Sequence, residues 1–109
     1  MNVVAGLPWQ GAAVLIRAIE PLEGRAAMAA NRVGKDGVEL TNGPAKLCQA
    51  FGIDKRLNGH DLRGPDLQLM LRSPLPPSQI IQTTRIGITR AVDKPWRFYD
   101  KTSKYVSSR

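Results

Sequence analysis

The stretch Asn42-Gly43-Pro44-Ala45-Lys46-Leu47-Cys48-Gln49-Ala50-Phe51-Gly52-Ile53 reads as one short, bounded helix. Pro44 suits a first helical turn, where its missing N–H costs nothing and its fixed φ is already helical. Gly52 supplies the left-handed residue that ends the helix. Leu47, Ala50 and Phe51 follow i, i+3, i+4 spacing, which predicts a buried face. Cys48 is expected to be a small core residue. The other end of the helix is chemically different. Its first N–H groups are unpaired and partly positive, and Lys46 adds a cation, so this end can hold a phosphate. A capped helix with a solvated lysine explains the local residues equally well.

Upstream, residues 11–19 (GAAVLIRAI) read as the clearest strand, closed by Glu20-Pro21. Alternation places Ala13, Leu15 and Arg17 on one face and Val14, Ile16 and Ala18 on the other. A guanidinium in an apolar strand needs a partner or an exit to water, because burying it alone is expensive. No acid is obviously placed for it, although Glu20 and Glu23 follow. Residues 1–5 (MNVVA) form a second strand, joined to the first through Gly6-Leu7-Pro8-Trp9-Gln10-Gly11, and the two are expected to pair antiparallel. The alanine-rich stretch from Leu22 to Asn31 predicts a helix, and residues 32–41 a polar loop. Residues 54–66 read as irregular, residues 67–72 as a short apolar strand, and residues 79–84 and 85–88 as β-prone. Gly87 permits a close backbone approach by a ligand. Trp96-Arg97-Phe98-Tyr99 reads as the end of a core rather than a base-stacking platform.

The 109 residues suffice for one domain with a modest core. The formal net charge is +7. Between Arg85 and Arg109 seven cationic side chains face only Asp93 and Asp100, so the last quarter of the chain carries most of the excess. A basic stripe attracts polyanions, with nucleic acid first among them, although a solvated face has the same composition. The single cysteine excludes an internal disulfide and a cysteine-rich zinc site. No apolar run approaches the roughly 20 residues of a membrane-crossing helix, and Met1–Leu7 is too short for a signal peptide, so the expected location is intracellular. His60, the only histidine, reads as a surface residue. No phosphate-binding glycine motif and no Ser-His-Asp or Cys-His arrangement is present. Neither a metal nor another cofactor is expected. From the residues alone the chain is a basic α+β domain.

The order of phrases adds to this. VLIRAIEPLEG (14–24), NGPAKLCQAFGID (42–54), NGHDL (58–62), RIGIT (85–89) and KPWRFY (94–99) together resemble the alkyladenine, or 3-methylpurine, DNA glycosylase family. The resemblance runs through residues 2–99 and corresponds to the C-terminal half of that family's catalytic domain. It implies an α+β fold, a curved antiparallel sheet with surrounding helices, here as an incomplete single domain over residues 1–109. It also implies a monomer that hydrolyses the N-glycosidic bond of alkylated purines flipped out of double-stranded DNA, located in the cytoplasm or nucleoid, or in a nucleus.

The resemblance further implies roles for single residues. Arg17 looks like the arginine beside the catalytic water and its carboxylate base, and Ile86 like the residue whose carbonyl helps hold that water. Asn2 resembles the pocket asparagine that discriminates against normal guanine, and Leu15 would line the same pocket. Lys46, Arg85 and Gly87 look like DNA-backbone contacts, which give salt-dependent and largely sequence-independent affinity. The general-base glutamate, the intercalating tyrosine and the groups stacking on the flipped base match nothing in this sequence. The expectation is therefore a truncated chain, inactive alone. The alternatives are a non-enzymatic basic nucleic-acid-binding module and a protein that docks on an acidic protein partner.

Overall fold

The computed structural model describes residues 1–6 and 11–107. The loop expected at Leu7-Pro8-Trp9-Gln10 lies outside the described residues. The structure is α+β, with strands β1 (Asn2–Ala5), β2 (Ala12–Leu15), β3 (Ile80–Thr83) and β4 (Arg97–Asp100) and helices α1 (Arg25–Asn31) and α2 (Pro44–Phe51). The antiparallel pairing is distributed over two separate two-stranded sheets, β1–β2 and β3–β4. The chain divides into two compact units: Met1–Gln68 with the stretch from Lys104 onward, and Leu69–Ser103.

In the first unit β1 and β2 pair antiparallel, as their apolar runs predict, in the register Asn2–Leu15, Val3–Val14, Val4–Ala13, Ala5–Ala12. β2 is shorter than the expected 11–19 strand. Beyond Ile16, whose N–H donates to the Met1 carbonyl at 2.8 Å, the backbone turns to another partner. The Ile19 N–H donates to the Thr41 carbonyl at 3.3 Å, and Thr41 Oγ1 donates to the Ile19 carbonyl at 2.8 Å. Thr41 is fully buried, at 0% exposure. The expected polar loop thus contains an anchor, preceded by a 3-10 turn at Gly37–Leu40 that buries Leu40.

Helix α1 starts at Arg25, three residues later than its alanine-rich surroundings suggest, because Gly24 takes a left-handed φ of 80° at its start. Met28, Leu40 and Ala50 form the core cluster, with Ala29 packed beside them. Polar side chains tie the two helices together. Asn31 Nδ2 donates to the Ala50 carbonyl at 2.9 Å, and the buried Arg32 donates from Nη1 to Gln49 Oε1 at 2.7 Å. From the chain's end, the buried Tyr105 hydroxyl accepts from Arg25 Nη2 at 2.8 Å.

Helix α2 has Pro44 in its first turn and Gly52 at φ 67° as its left-handed terminator, both as read from the sequence. Leu47 and Ala50 are buried, whereas Phe51 is 44% exposed and Cys48 half-buried. Phe51 is the last helical residue and lies outside the Met28–Leu40–Ala50 cluster, so helical spacing alone overstated its burial.

The second unit is a β3–β4 ribbon with register Ile80–Asp100, Ile81–Tyr99, Gln82–Phe98, Thr83–Arg97. Its alternation inverts the expected core end. Arg97 points inward at 8% exposure and stacks on the Tyr99 ring at 4.7 Å, while Trp96 and Phe98 are exposed. Residues 67–72 do not form a strand, and Leu71 is 97% exposed. Apolar composition makes a strand only where a ladder partner exists. Residues 85–88 form no strand: they lie between β3 and β4, with a bend at Ile86 and Gly87, the latter at φ 67°. No helix among the described residues is long and apolar enough to cross a membrane.

Candidate functional site

Four of the residues singled out in the sequence, Asn2, Leu15, Arg17 and Lys46, lie in the first unit. Asn2 and Leu15 are direct cross-strand partners, and side chains of opposed residues leave the sheet on the same face. The ribbon therefore brings these two side chains together. Arg17 follows two residues past the end of β2 and is half-buried. Among the described residues it forms no hydrogen bond or ion pair, and neither Glu20 nor Glu23 pairs with it. A half-buried guanidinium with its donors unspent is available to a bound anion or carboxylate.

Lys46 sits in the first turn of α2. Its Nζ donates to Asn42 Oδ1 at 2.9 Å, which folds the side chain back over the helix start. Gly43 makes room for this. A Cβ there would stand 3.3 Å from Lys46 Cδ, tighter than an ordinary contact. The ammonium is thus fixed by a neutral partner rather than neutralised by an acid, beside the unpaired N–H groups of the first turn.

Arg85, Ile86 and Gly87 lie together in the second unit, on the segment joining β3 to β4. The Arg85 guanidinium stacks over the Trp96 ring at 5.1 Å and donates from Nη2 to the Arg90 carbonyl at 3.1 Å. Its buried Nε has no hydrogen-bond partner among the described residues. Ile86 is half-buried. Gly87 is exposed, and a Cβ built on it meets nothing within 4 Å. Its glycine is required by the left-handed backbone, and the space above it is open.

One feature was not legible in the sequence. A cleft of about 610 Å³ opens in the first unit between β1 and the segment 53–67, lined by Met1, Asn2, Val3 and Val4 on one side and by Ile53, Leu57, Leu62 and Leu67 on the other. The leucines at 57, 62 and 67 recur every fifth residue, a period of neither helix nor strand, so that pattern searches pass over them. His60, read as a surface histidine, is half-buried at this cleft with Nε2 3.0 Å from the Leu67 carbonyl. Two exposed arginine–aspartate pairs flank it. Arg56 hydrogen-bonds Asp54 and lowers its carboxyl pKa, and Arg63 hydrogen-bonds Asp61 and holds its carboxyl at about 2. Among the described residues no three His, Cys, Asp or Glu side chains converge as metal ligands.

Residues 1–104 match the model of the methylpurine-DNA glycosylase family. This chain belongs to the methylpurine-DNA glycosylase family. It is 51% identical over its whole length to a protein of Methanoculleus marisnigri named as a candidate 3-methyladenine DNA glycosylase, of which it covers 58%. A protein of the same name from Carboxydothermus hydrogenoformans is 47% identical over 99% of this chain, which covers 57% of that relative. The corresponding Francisella tularensis protein is 41% identical, again over 99% of this chain and 58% of the relative. The chain thus spans a little under three-fifths of the length of the curated relatives it matches.

Proposed function

We propose that this chain is the C-terminal part, over residues 1–109, of a catalytic domain that excises alkylated purines of the 3-methyladenine type in base-excision repair. The target nucleotide is flipped out of duplex DNA, water attacks the sugar C1′, the C1′–N bond breaks, and the damaged base leaves. The water's proton passes to a carboxylate base that no residue of this chain supplies. Arg17 orients that carboxylate and the water, and the Ile86 carbonyl accepts a hydrogen bond from the water. Asn2 and Leu15 line the base pocket. Lys46, Arg85 and Gly87 hold the DNA backbone. The working species is a monomer on DNA inside the cell.

The observation that carries this reading is the half-buried Arg17, without a hydrogen bond or ion pair among the described residues, just beyond the Asn2–Leu15 pair. A guanidinium held there without an acid fits a site completed by a carboxylate from elsewhere. Because general acid–base assistance is worth about 10²–10⁴-fold, the 109-residue chain alone is expected to release little base. The test joins this chain in one reading frame to the part of the Methanoculleus marisnigri relative that it does not cover, and measures release of 3-methyladenine from duplex DNA. Arg17→Ala should depress release far more than DNA affinity, and an equal loss of both would overturn the assigned role. Salt-sensitive DNA binding with no base release from the joined protein would favour the non-enzymatic nucleic-acid-binding module.

A further inference from the structure

Residues 85–90 carry the Ile86 carbonyl and Gly87, the groups that meet the water and the DNA backbone in the proposed reaction. Their own backbone does little to hold them. Among the described residues, Ile86, Gly87, Ile88 and Thr89 form no hydrogen bond. Peptide groups without partners are open to water or a ligand, and a segment made of them keeps its shape only if something outside it does so.

The tie that spans this segment is a side chain. Arg85 stands at its start, and Arg85 Nη2 donates to the Arg90 carbonyl at its end, 3.1 Å away. That carbonyl belongs to the peptide unit entering Ala91, a non-glycine residue at φ 49°. An alanine in the left-handed region is unfavourable by itself and persists where neighbouring contacts impose it. The Arg85 bond is one such contact, because it fixes the peptide that leads into the bend.

Trp96 in turn holds the guanidinium. Its indole is 58% exposed, so it adds little to a core, but the ring covers one face of Arg85, with Cζ 5.1 Å from its centroid. Stacking on an aromatic face sets the plane of a guanidinium and therefore the direction of its N–H groups. Trp96 is itself anchored at its backbone. Its N–H donates to the Lys94 carbonyl at 2.9 Å, the preceding Pro95 carbonyl accepts from Gln82 Nε2 of β3 at 2.9 Å, and Arg97 follows as the first residue of β4. The ribbon sets the indole, the indole sets the guanidinium, and the guanidinium spans the loop.

We propose that Trp96 is a positioning residue, acting through Arg85 to hold the 85–90 loop so that the Ile86 carbonyl meets the water and Gly87 meets the DNA backbone. Trp96 itself touches neither the damaged base nor a phosphate. The inference rests on the roles given to Ile86 and Gly87 under the proposed function, and it names what keeps those groups in place.

The experiment uses the joined protein and its Trp96→Ala, Trp96→Phe and Arg85→Lys variants. Single-turnover release of 3-methyladenine and affinity for duplex DNA over a salt series are measured for each. Trp96→Ala should slow release about tenfold. Affinity should change less than about threefold, with the salt slope kept, because the Arg85 charge remains. Trp96→Phe keeps a ring face and should recover most of the rate. Trp96→Ala combined with Arg85→Lys, which loses the planar fork, should be little slower than either alone, since both break the same brace. An unchanged rate, an equal fall in rate and affinity, Trp96→Phe as slow as Trp96→Ala, or additive losses would each overturn the proposal. NMR relaxation of the Gly87 amide supplies a readout that needs no chemistry. Its order parameter should fall from about 0.85 towards about 0.6 in Trp96→Ala, and a Gly87 that stays rigid in that variant would sink the brace. A joined protein that releases no 3-methyladenine even with Trp96 intact would sink the catalytic reading, and the order parameter then decides the brace by itself.

Discussion

Asn2 stands directly opposite Leu15 across the β1–β2 ribbon, so a polar amide and a branched apolar side chain share one face of the sheet. An amide beside a hydrophobic wall can test the hydrogen-bonding edge of a stacked base while the wall excludes water. In the protein joined to the rest of the relative, Asn2→Ala should raise release of unmodified guanine relative to 3-methyladenine by roughly fivefold, the worth of about one hydrogen bond. High-performance chromatography of released bases checks this. An unchanged ratio would place Asn2 outside the pocket.

Thr41 locks Ile19 from two directions, with its carbonyl accepting from the Ile19 N–H and its hydroxyl donating to the Ile19 carbonyl. Thr41→Val conserves shape and leaves the Ile19 carbonyl without its side-chain donor at a fully buried position. The expected loss is about 1–3 kcal/mol, seen as a lower Tm in a circular-dichroism melt. An unchanged Tm would mean that water replaces the hydroxyl.

Lys46 is held at the start of α2 by Asn42. If it touches a DNA phosphate, Lys46→Ala weakens binding to duplexes of any sequence and reduces the slope of log K against log salt by about one. Asn42→Ala keeps the charge but frees the side chain, so affinity should fall less and the slope should stay near its original value. Fluorescence anisotropy over a salt series reads both. A slope unaffected by Lys46→Ala would remove this residue from the DNA surface.

Asp61 titrates at about 2 because Arg63 hydrogen-bonds its carboxylate through both side chain and backbone. Its pKa lies below the ordinary 3.8 when the chain is folded. Its ionised form therefore favours the fold above about pH 4, and that contribution disappears as the pH falls from there through about 2. The pair is exposed, which makes the effect on stability small and screened by salt. Arg63→Ala should move the Asp61 midpoint up towards 3.8 in a carboxyl NMR titration. A midpoint that stays near 2 would locate the cause in the backbone N–H alone.

The two ends of helix α2 were legible in residues 42–53, because Pro44 and Gly52 act through their own φ preferences and need no neighbour. The antiparallel pairing of the first two strands followed from two apolar runs close in sequence. The strand expected at residues 67–72 failed for the complementary reason: strands exist by pairing, and nothing within that stretch says whether a partner will arrive. Phe51 and Arg97 were misjudged in the same way, one left at a helix end and the other turned inward on Tyr99.

By itself, then, the sequence determined the α+β class, the ends of α2, the basic last quarter, and the ordered phrases that belong to the methylpurine-DNA glycosylase family. Those properties reside in local backbone preference, charge and residue identity. The tertiary structure alone decided that Asn2 meets Leu15, that Arg17 is half-buried without an acid among the described residues, that Asn42 fixes Lys46, and that β1 borders a cleft with Leu57, Leu62 and Leu67. Each of these depends on strand register or on segments far apart in sequence, whose meeting is set by the net free energy of packing rather than by any one residue's preference.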